Sequence, residues 1–202
     1  MTTGRTRPRR TQQQRSEATT GELLAAARSL FAADGYAATS LDAVAAAAGV
    51  TKGALYHHFA GKRELFRAVY EAEQRRLGEM ESRAYARKRD PWDAFYAACR
   101  AFLEASLDPG VQRITLLDAP SALGWEAMRE IEAGSLAMMT KALQEAIDAG
   151  CIAPRPVEPL ARILFGAICE TAMTIARSQN QHATSRRMLK ELRTVLDALA
   201  AR

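Results

Sequence analysis

Apolar residues recur along this chain with the three- and four-residue spacing of amphipathic helices. The first such face consists of Leu23, Leu24, Ala27, Leu30 and Phe31. Thr19 and Glu22, just before this face, have the spacing of a capping box with Thr19 as the N-cap, and Asp34-Gly35 is a stop signal. The pattern therefore predicts a first helix that begins at Thr19 and ends at about Asp34.

The same signals predict eight more helices after the first one. Their expected ranges are 40–48, 51–58, 62–89, 90–107, 111–117, 125–149, 157–179 and 184–200. The start at Asp90-Pro91 is the clearest, because an aspartate N-cap followed by proline suits a helix N-terminus. Pro120 is expected to break the chain after 111–117. No segment shows sustained period-two alternation of β-branched residues, so we predict an all-α fold of about nine helices.

Residues 41–59, LDAVAAAAGVTKGALYHHF, have the pattern of two helices that meet at a sharp corner. Ala45 is small enough for two helices to cross there, and Gly49 tolerates the backbone conformation that the turn requires. This is the spacing of a helix-turn-helix unit, whose second helix enters the major groove of DNA with its N-terminal residues leading. Residues 51–54 are therefore expected to face base edges.

The charge of the chain is unevenly distributed. Residues 1–89 contain 16 Lys/Arg against 9 Asp/Glu, a net charge of +7, whereas residues 90–202 contain 12 against 14, a net charge of −2. Residues 1–18 hold five arginines and a single acid without an apolar period, so we predict a flexible basic arm there. A basic first part favours a polyanion-binding module on a nearly neutral second domain. The alternative is an uneven, solvated surface.

His57 and His58 suggest a metal site or a catalytic pair. Adjacent residues of a helix point about 100° apart, so the two imidazoles cannot hold one ion as an i, i+4 pair does. No carboxylate or cysteine stands at a chelating offset, and no nucleophile with its base is nearby. We therefore predict no metal, no cofactor and no catalytic residue here, and we expect His58 to be partly buried beside Phe59.

Composition limits the class and the location of the protein. Of 202 residues, 48% are apolar, which is enough for a core, and no apolar run approaches the ~18 residues that span a bilayer. The N-terminus is basic and polar, without a secretory signal. Cys99, Cys151 and Cys169 stand far apart, which argues against a disulfide framework or a zinc site. These features predict a cytoplasmic protein with no membrane partner.

Residues 23–66 closely resemble the N-terminal DNA-binding domain of the TetR family of transcriptional regulators. The matching motifs are Ala27-x-x-Leu30-Phe31, Gly35-Tyr36, Thr39-Ser40, the run from Ala48 to Gly53, Leu55-Tyr56-x-His58-Phe59 and Lys62-x-x-Leu65. The resemblance implies a three-helix DNA-binding domain (19–66) followed by a variable all-α domain (67–202) that dimerises and binds a small effector.

The resemblance also implies which residues contact DNA. By position they are Thr39, Ser40, Thr51, Lys52, Gly53, Tyr56, His57 and Lys62. His57 departs from the family, which often has a larger aromatic residue at this place. The basic arm is expected to add minor-groove or phosphate contacts.

The last two predicted helices each have a wide apolar face. One face holds Leu160, Ile163, Leu164, Ala167, Ile168, Ala172, Ile175 and Ala176, and the other holds Leu189, Leu192, Val195, Leu196 and Leu199. One small core does not need so many apolar faces, so we expect these helices to pair with a second copy in a homodimer. The alternative is burial of both faces within one chain.

Aromatic and flexible side chains of the second domain are the candidates for an effector pocket. They are Phe95, Phe102, Leu116, Asp118, Trp125, Met128, Met138, Met139, Phe165, Cys169 and Met173. Methionine and aromatic stripes at helical spacing also form ordinary cores. Asp118 is the one acid in an apolar run, and two roles stay open for it: an anchor for a cationic or hydroxylated effector, or a cap for the turn before Pro120.

These features predict a sequence-specific DNA-binding transcriptional regulator. We expect a repressor that an unknown small-molecule effector releases from a palindromic operator in double-stranded DNA. An architectural DNA-binding protein without effector is the alternative, but the second domain would then have no use. An enzyme that acts on nucleic acid is disfavoured, because no cluster of carboxylates suited to catalytic metal ions is visible.

Overall fold

The computed structural model describes residues 12–200. Over this range the chain forms nine helices and no β-strand, and one isolated antiparallel bridge pairs Ile152 with Ala200. The prediction of an all-α fold with about nine helices is confirmed. The four arginines of the predicted arm that precede Gln12 lie outside the described residues.

The helices follow one another with short connections. They are α1 (Gln12–Ala38), α2 (Leu41–Ala47), α3 (Lys52–His58), α4 (Lys62–Ala86), α5 (Pro91–Ala105), α6 (109–123), α7 (Trp125–Asp148), α8 (Val157–Ala176) and α9 (Gln181–Leu199). Helix α6 has α-helical ends, Pro109–Val111 and Ala119–Leu123, on either side of a π-helical stretch, Gln112–Asp118.

Helix α1 begins earlier than the capping box predicts. Its first residue is Gln12, so Thr19 lies inside the helix and is not the N-cap, and the segment 12–18 of the predicted flexible arm is helical. Glutamine has good intrinsic helix propensity, and Gln13 Nε2 donates to Glu17 Oε1 one turn later at 3.0 Å. This polar turn therefore extends the helix beyond its apolar face.

Three of the predicted helix starts are confirmed by their caps. The side chains of Ser40, Thr51 and Asp90 each accept a hydrogen bond from the backbone N–H three residues later, at 3.1, 3.2 and 2.8 Å. Each bond satisfies one of the N–H groups that a helix leaves without a partner in its first turn. The starts of α2, α3 and α5 thus follow from local sequence alone.

Pro120 does not break the chain as expected. It lies in the first turn of the closing α-helical segment of α6, and the break comes later, at Gly124, where the backbone leaves the helical region with φ 84° and ψ 161°. The preceding π-helical stretch changes the bonding pattern, so the missing N–H of Pro120 falls at the start of a new segment, where proline is tolerated.

The buried residues form two clusters. The first contains the apolar faces of α1 to α4, including Phe31, Leu55 and Phe66, and it also takes in Ile114 of α6 and Met128 of α7. The second contains side chains of α5, α7, α8 and α9. Because α6 and α7 contribute to the first cluster, the N-terminal three helices and the rest of the chain share a continuous packed interior.

Helix α8 is long and apolar enough to cross a membrane, judged by length and composition only. Its side chains at Leu164, Ile168 and Ile175 are buried in the second cluster. The core helix of a water-soluble domain has the same composition, so this property gives little support to a membrane span.

Gly35 interrupts α1 without ending it. Its φ of 81° and ψ of 169° are non-helical, and the chain resumes a helical turn up to Ala38. The Tyr36 N–H donates to Asp118 Oδ2 at 2.6 Å, and Arg113 Nε donates to the same oxygen at 3.2 Å. The stop predicted at Asp34-Gly35 is therefore a kink, and α6 holds it in place. A Cβ at Gly35 would collide with the Arg113 guanidinium.

We expect Gly35→Ala to lower the free energy of unfolding by about 1–3 kcal/mol, because alanine is strained at positive φ and also displaces Arg113. Gly21→Ala is the matched control in the same helix, where an added Cβ meets nothing within 4 Å. It is expected to stabilise the protein by about 0.5–1 kcal/mol. Urea denaturation measures the free energy of unfolding of both variants. Equal effects of the two substitutions would contradict the positive φ of Gly35 and its close approach to Arg113.

Candidate functional site

Helices α2 and α3 form the predicted corner. Val44 and Ala45 of α2 and Leu55 of α3 are buried where the helices meet α1 and α4. Gly49 has φ 67°, which an L side chain rarely adopts, and it turns the chain between the two helices. The helix-turn-helix unit therefore arises from small and apolar residues at the positions that the sequence indicated.

An exposed surface lies over the N-terminal part of α3. It consists of Ser40, Thr51, Lys52, Gly53, Tyr56 and His57, all of them exposed, and is called the α3 surface below. Lys52 Nζ lies 2.8 Å from Asp42 Oδ1, and the hydrogen bond to that carboxylate raises the pKa of Lys52, so the ammonium stays charged. Tyr56 exposes 47% of its surface, and nothing lies within 4 Å of a Cβ added at Gly53.

Two residues predicted to contact DNA have other partners. Thr39 is only 4% exposed, and its hydroxyl donates to Gly35 O at 2.8 Å. Lys62 Nζ donates to the carbonyl oxygens of Ala37 and Thr39, both at 3.1 Å. These bonds satisfy backbone groups at the end of α1. In this structure both side chains hold the link between α1 and α2, and their contacts with DNA stay a prediction.

His57 and His58 point in different directions and have different surroundings. His57 is exposed on the α3 surface, whereas His58 is half-buried with Nδ1 3.2 Å from Thr20 Oγ1 of α1. His58 thus ties α3 to α1, in agreement with the expectation of a partly buried imidazole. Within residues 12–200, no group of three or more His, Cys, Asp or Glu side chains is placed to hold a metal ion.

A cavity of about 580 Å³ lies between α4, α5, α6, α7 and α8 and is called the central cavity below. Nearly all of the candidate pocket residues line it: Phe95, Phe102, Leu116, Trp125, Met128, Met138, Met139, Phe165, Cys169 and Met173. Its volume is in the range of small-molecule sites, which hold mostly apolar walls and a few polar groups. The aromatic and methionine side chains that the sequence indicated therefore surround a cavity and do not fill a solid core.

Asp118 does not line the central cavity. Its carboxylate accepts from the Tyr36 N–H and pairs with Arg113, so it faces the kink of α1. Its side chain makes no capping hydrogen bond to the segment that contains Pro120, and its carboxylate has partners outside the cavity. It satisfies a backbone N–H on a segment 82 positions away along the chain.

Charged residues of α4 and α7 also line the cavity, and the sequence did not single them out. Tyr70 OH donates to Glu132 Oε1 at 2.8 Å, and Arg129 Nη1 lies 3.1 Å from Glu132 Oε2. Tyr85 OH donates to Glu145 Oε2 at 2.5 Å. Burial, together with the neighbouring Glu145, raises the pKa of Tyr85 to about 12. These phenols therefore stay protonated and act as hydrogen-bond donors.

Glu81, also in the cavity wall, has no ion-pair or hydrogen-bond partner among residues 12–200. It is half-buried in the cavity wall, and burial raises its pKa from 4.5 to about 7. A carboxylate loses hydration there, which disfavours its charged form. A signal for it exists in the sequence: Leu77, Glu81 and Tyr85 follow at four-residue steps, so Glu81 falls on the inward face of α4.

Helix α4 connects the α3 surface to the central cavity. Lys62 at its first turn binds the end of α1, and Tyr85 at its last turn lies in the cavity wall. Between these ends, Arg63 Nη2 donates to Leu123 O at 2.7 Å and Arg67 Nη2 to Glu130 Oε2 at 2.9 Å. These two bonds join α6 and α7, which border the cavity, to the N-terminal half of α4.

Two family descriptions match most of this chain. Residues 23–69 match "Bacterial regulatory proteins, tetR family", and residues 92–199 match "Tetracyclin repressor-like, C-terminal domain". The chain belongs to the TetR family. Its relatives are DNA-binding transcriptional regulators, not enzymes.

Named relatives of this TetR-family chain agree with the assignment. The Transposon Tn10 TetC protein of Escherichia coli is 29% identical over 66% of this chain and 70% of that protein. The HTH-type transcriptional regulator CymR of Pseudomonas putida is 35% identical over 61% of this chain and 63% of its own length. The alignment with CymR thus leaves more than a third of either protein unmatched.

Solved structures match over nearly the whole chain. A TetR-family transcriptional regulator from Pectobacterium atrosepticum is 34% identical, with a TM-score of 0.85 over 96% of this chain and 99% of that one. The transcriptional regulator FadR from Bacillus subtilis, solved in complex with stearoyl-CoA, is 21% identical, with a TM-score of 0.72 over 85% of this chain and 96% of that one. At that identity, FadR supports the shared fold alone.

We expect Glu81→Gln to stabilise the protein at neutral and alkaline pH. Burial raises the pKa of the Glu81 carboxyl from 4.5 to about 7. Below about pH 4.5 the group is protonated in the folded and the unfolded state, so its burial does not lower the free energy of unfolding. The cost grows as the pH rises and is complete above pH 7, at up to about 3 kcal/mol. Denaturation at acidic and at alkaline pH measures this difference between the variant and the wild type.

Glu79→Gln is the control for that experiment, because Glu79 is an exposed residue of the same helix, paired with Arg83. We expect it to change stability by less than about 1 kcal/mol at either pH. If Glu81→Gln is no more stable than the wild type at alkaline pH, Glu81 is not buried without a partner.

Proposed function

We propose that this protein is a repressor that binds a roughly palindromic operator as a homodimer and leaves it when a small molecule enters the central cavity. The observation that carries this proposal is the cavity of about 580 Å³ beside α4, the helix whose first turn binds the end of α1 next to the helix-turn-helix unit. The protein acts where the chromosome is, in the cytoplasm.

The α3 surface is the part that contacts DNA in this proposal. Residues Thr51, Lys52 and Gly53 lead α3 into the major groove, where Lys52 reaches base edges and the backbone at Gly53 approaches closely. Ser40, Tyr56 and His57 donate to phosphates at the groove edges. The net charge of +7 on residues 1–89 supports attraction to a polyanion.

Helices α8 and α9 form the dimer interface in this proposal. Ile163 of α8 and Val195 of α9 expose 68% and 53% of their surfaces, and the small residues Gly166 and Ala167 are exposed beside Ile163. Exposed apolar residues next to small ones allow close packing of a second copy. A two-fold dimer places two α3 helices in successive major grooves, about 34–36 Å apart.

Effector release follows from the position of α4. A molecule in the central cavity contacts the cavity end of α4, and a tilt of α4 changes the separation of the two α3 helices. Only a molecule that binds one of the two arrangements more tightly shifts the equilibrium. A coupling of about 1–3 kcal/mol lowers operator affinity about 5–150-fold. FadR from Bacillus subtilis, which shares this fold, was solved in complex with stearoyl-CoA.

The experiment that tests the proposal has two steps. Operator sequences are first selected from a random DNA library with the purified protein, and a compound library is then screened for molecules that raise the melting temperature. A compound that binds must weaken operator binding, and the operator must weaken compound binding by the same factor. Equal compound affinity with and without operator would exclude release by a ligand in the cavity.

We expect Lys52→Ala to weaken operator binding and to relax the preference between operator and unrelated DNA. The slope of log K against log salt should fall by roughly 0.9 if Lys52 also neutralises a phosphate. Lys88→Ala, an exposed lysine beyond the far end of α4, is the control and should change neither quantity. Fluorescence anisotropy over a salt series measures both. If Lys52→Ala leaves the ratio of operator affinity to unrelated-DNA affinity unchanged, α3 is not the helix that contacts base edges.

We expect Ile163→Asp to give monomers that bind the operator at least about 100-fold more weakly, because a buried charge at the interface costs several kcal/mol. Leu117→Asp is the control: Leu117 is an apolar residue of α6, 39% exposed, and α6 is not part of the proposed interface. Light scattering and anisotropy test the two variants together. A dimeric Ile163→Asp protein with normal operator affinity would show that the interface lies elsewhere.

A further inference from the structure

The ionic groups of the central cavity do not balance. Four acids and two bases line it: Glu81, Glu132, Glu145, Glu170, Arg129 and Lys141. Both bases already have acidic partners, because Arg129 lies 3.1 Å from Glu132 and Lys141 lies 3.8 Å from Glu145. The lining therefore has two more acidic than basic side chains and no base left over for an incoming anion.

Glu81 carries the part of this excess that faces the interior. In residues 12–200, no lysine or arginine forms an ion pair with Glu81, and no donor forms a hydrogen bond with it. Burial raises the pKa of the Cys99 thiol on α5 and of the Cys169 thiol on α8, and the negative charge of Glu81 contributes to both shifts. The carboxylate thus lies in the cavity wall within electrostatic range of Cys99 of α5 and Cys169 of α8.

We propose that the central cavity binds an amphipathic organic cation, a molecule with a cationic nitrogen on an apolar body, whose charge pairs with the Glu81 carboxylate. This inference rests on the proposed function, because it names the ligand class of the same cavity. It assigns Glu81 as a ligand-binding residue.

The rest of the cavity suits the apolar body of such a molecule. Phe95 and Phe102 of α5 and Phe165 of α8 supply ring faces and edges, and methionines of α7 and α8 supply flexible walls. Tyr85 lies one helical turn from Glu81 on the same face of α4, so a cation at Glu81 also lies near a phenol ring. Apolar burial then provides most of the affinity, and Glu81 selects the charge.

A cation also removes an energetic cost that the empty protein carries. Burial raises the pKa of Glu81 to about 7, so near neutral pH a substantial part of the population is protonated. A positive group within about 4–6 Å favours the ionised form and lowers that pKa again. A neutral ligand leaves the carboxyl as it is, and an anion adds repulsion from the four glutamates of the lining. Ligands of these three charges therefore bind with different affinities.

The test uses three probes that share one apolar body: 4-(biphenyl-4-yl)butylamine, the corresponding alcohol and the corresponding carboxylic acid. Their affinities for the full-length protein are measured by calorimetric titration at about pH 8, where Glu81 is mostly ionised and the amine is protonated. We expect the amine to bind at least about 10-fold more tightly than the alcohol, and the acid to bind most weakly.

Glu81→Gln is the variant that decides the role of the carboxylate. It should remove the preference for the amine over the alcohol and leave the affinity for the alcohol within about 3-fold of wild type. Glu79→Gln, the exposed control on the same helix, should keep the preference. The inference is overturned if Glu81→Gln keeps it, if the acid binds best, or if the amine shows no binding up to about 1 mM.

Operator binding in the presence of each probe separates this inference from the proposed function. If the amine binds with a preference that depends on Glu81 but operator affinity is unchanged, the cation site is real and release by a ligand fails. If the alcohol or the acid binds at least as tightly as the amine and weakens operator binding, the repressor function stands and the assignment of Glu81 fails.

Discussion

The burial of helix α4 against both parts of the molecule is the constraint on which the other features depend. Leu65 and Phe66 of α4 are fully buried in the first cluster, and Tyr85, five turns further on, lies in the wall of the central cavity. The middle of the helix is held by Glu73, which is 3% exposed and pairs with Arg28 of α1 and Arg76. A buried carboxylate with two guanidinium partners resists displacement, because its separation from either leaves an unpaired charge.

A second set of polar contacts fixes the direction in which the chain leaves α1. The kink at Gly35 frees backbone groups that would otherwise be bonded within the helix, and buried polar groups need partners. Asp118 accepts from Tyr36, and Lys62 donates to the carbonyl of Ala37. The side chains that satisfy this kink come from α4 and α6, the helices that border the cavity. The orientation of the DNA-binding helices is therefore set by the helices that a ligand would touch.

The two ends of α4 have opposite electrostatic character. Near its start lies the exposed Lys52 of α3, and near its end the cavity lining holds four glutamates and two bases. A polyanion and a cationic molecule would thus be attracted to different ends of one helix. In the proposed function, DNA and ligand therefore do not compete for one site, and their coupling would run through packing and not through direct charge contact.

Local chemistry determined much of this protein from sequence alone. The caps at Ser40, Thr51 and Asp90 and the turn at Gly49 depend on neighbours within four residues, so the helix-turn-helix unit and the all-α class were predictable. The apolar residues at helical spacing, which is also a local pattern, indicated the walls of the cavity. Intrinsic helix propensity also explains why α1 extends back to Gln12, although the capping signal at Thr19 was stronger in the sequence.

The tertiary structure decided the roles of the polar residues. Thr39, Lys62 and Asp118 each bond to the backbone around the kink of α1, which the sequence did not predict, and the partner of Asp118 is 82 positions away along the chain. A polar side chain binds whichever group needs a partner in space, and sequence spacing does not reveal that group. Glu81 is the opposite case, a polar side chain that finds no partner among the described residues. The helices packed around it place its carboxylate in the wall of a cavity, which the sequence alone does not reveal.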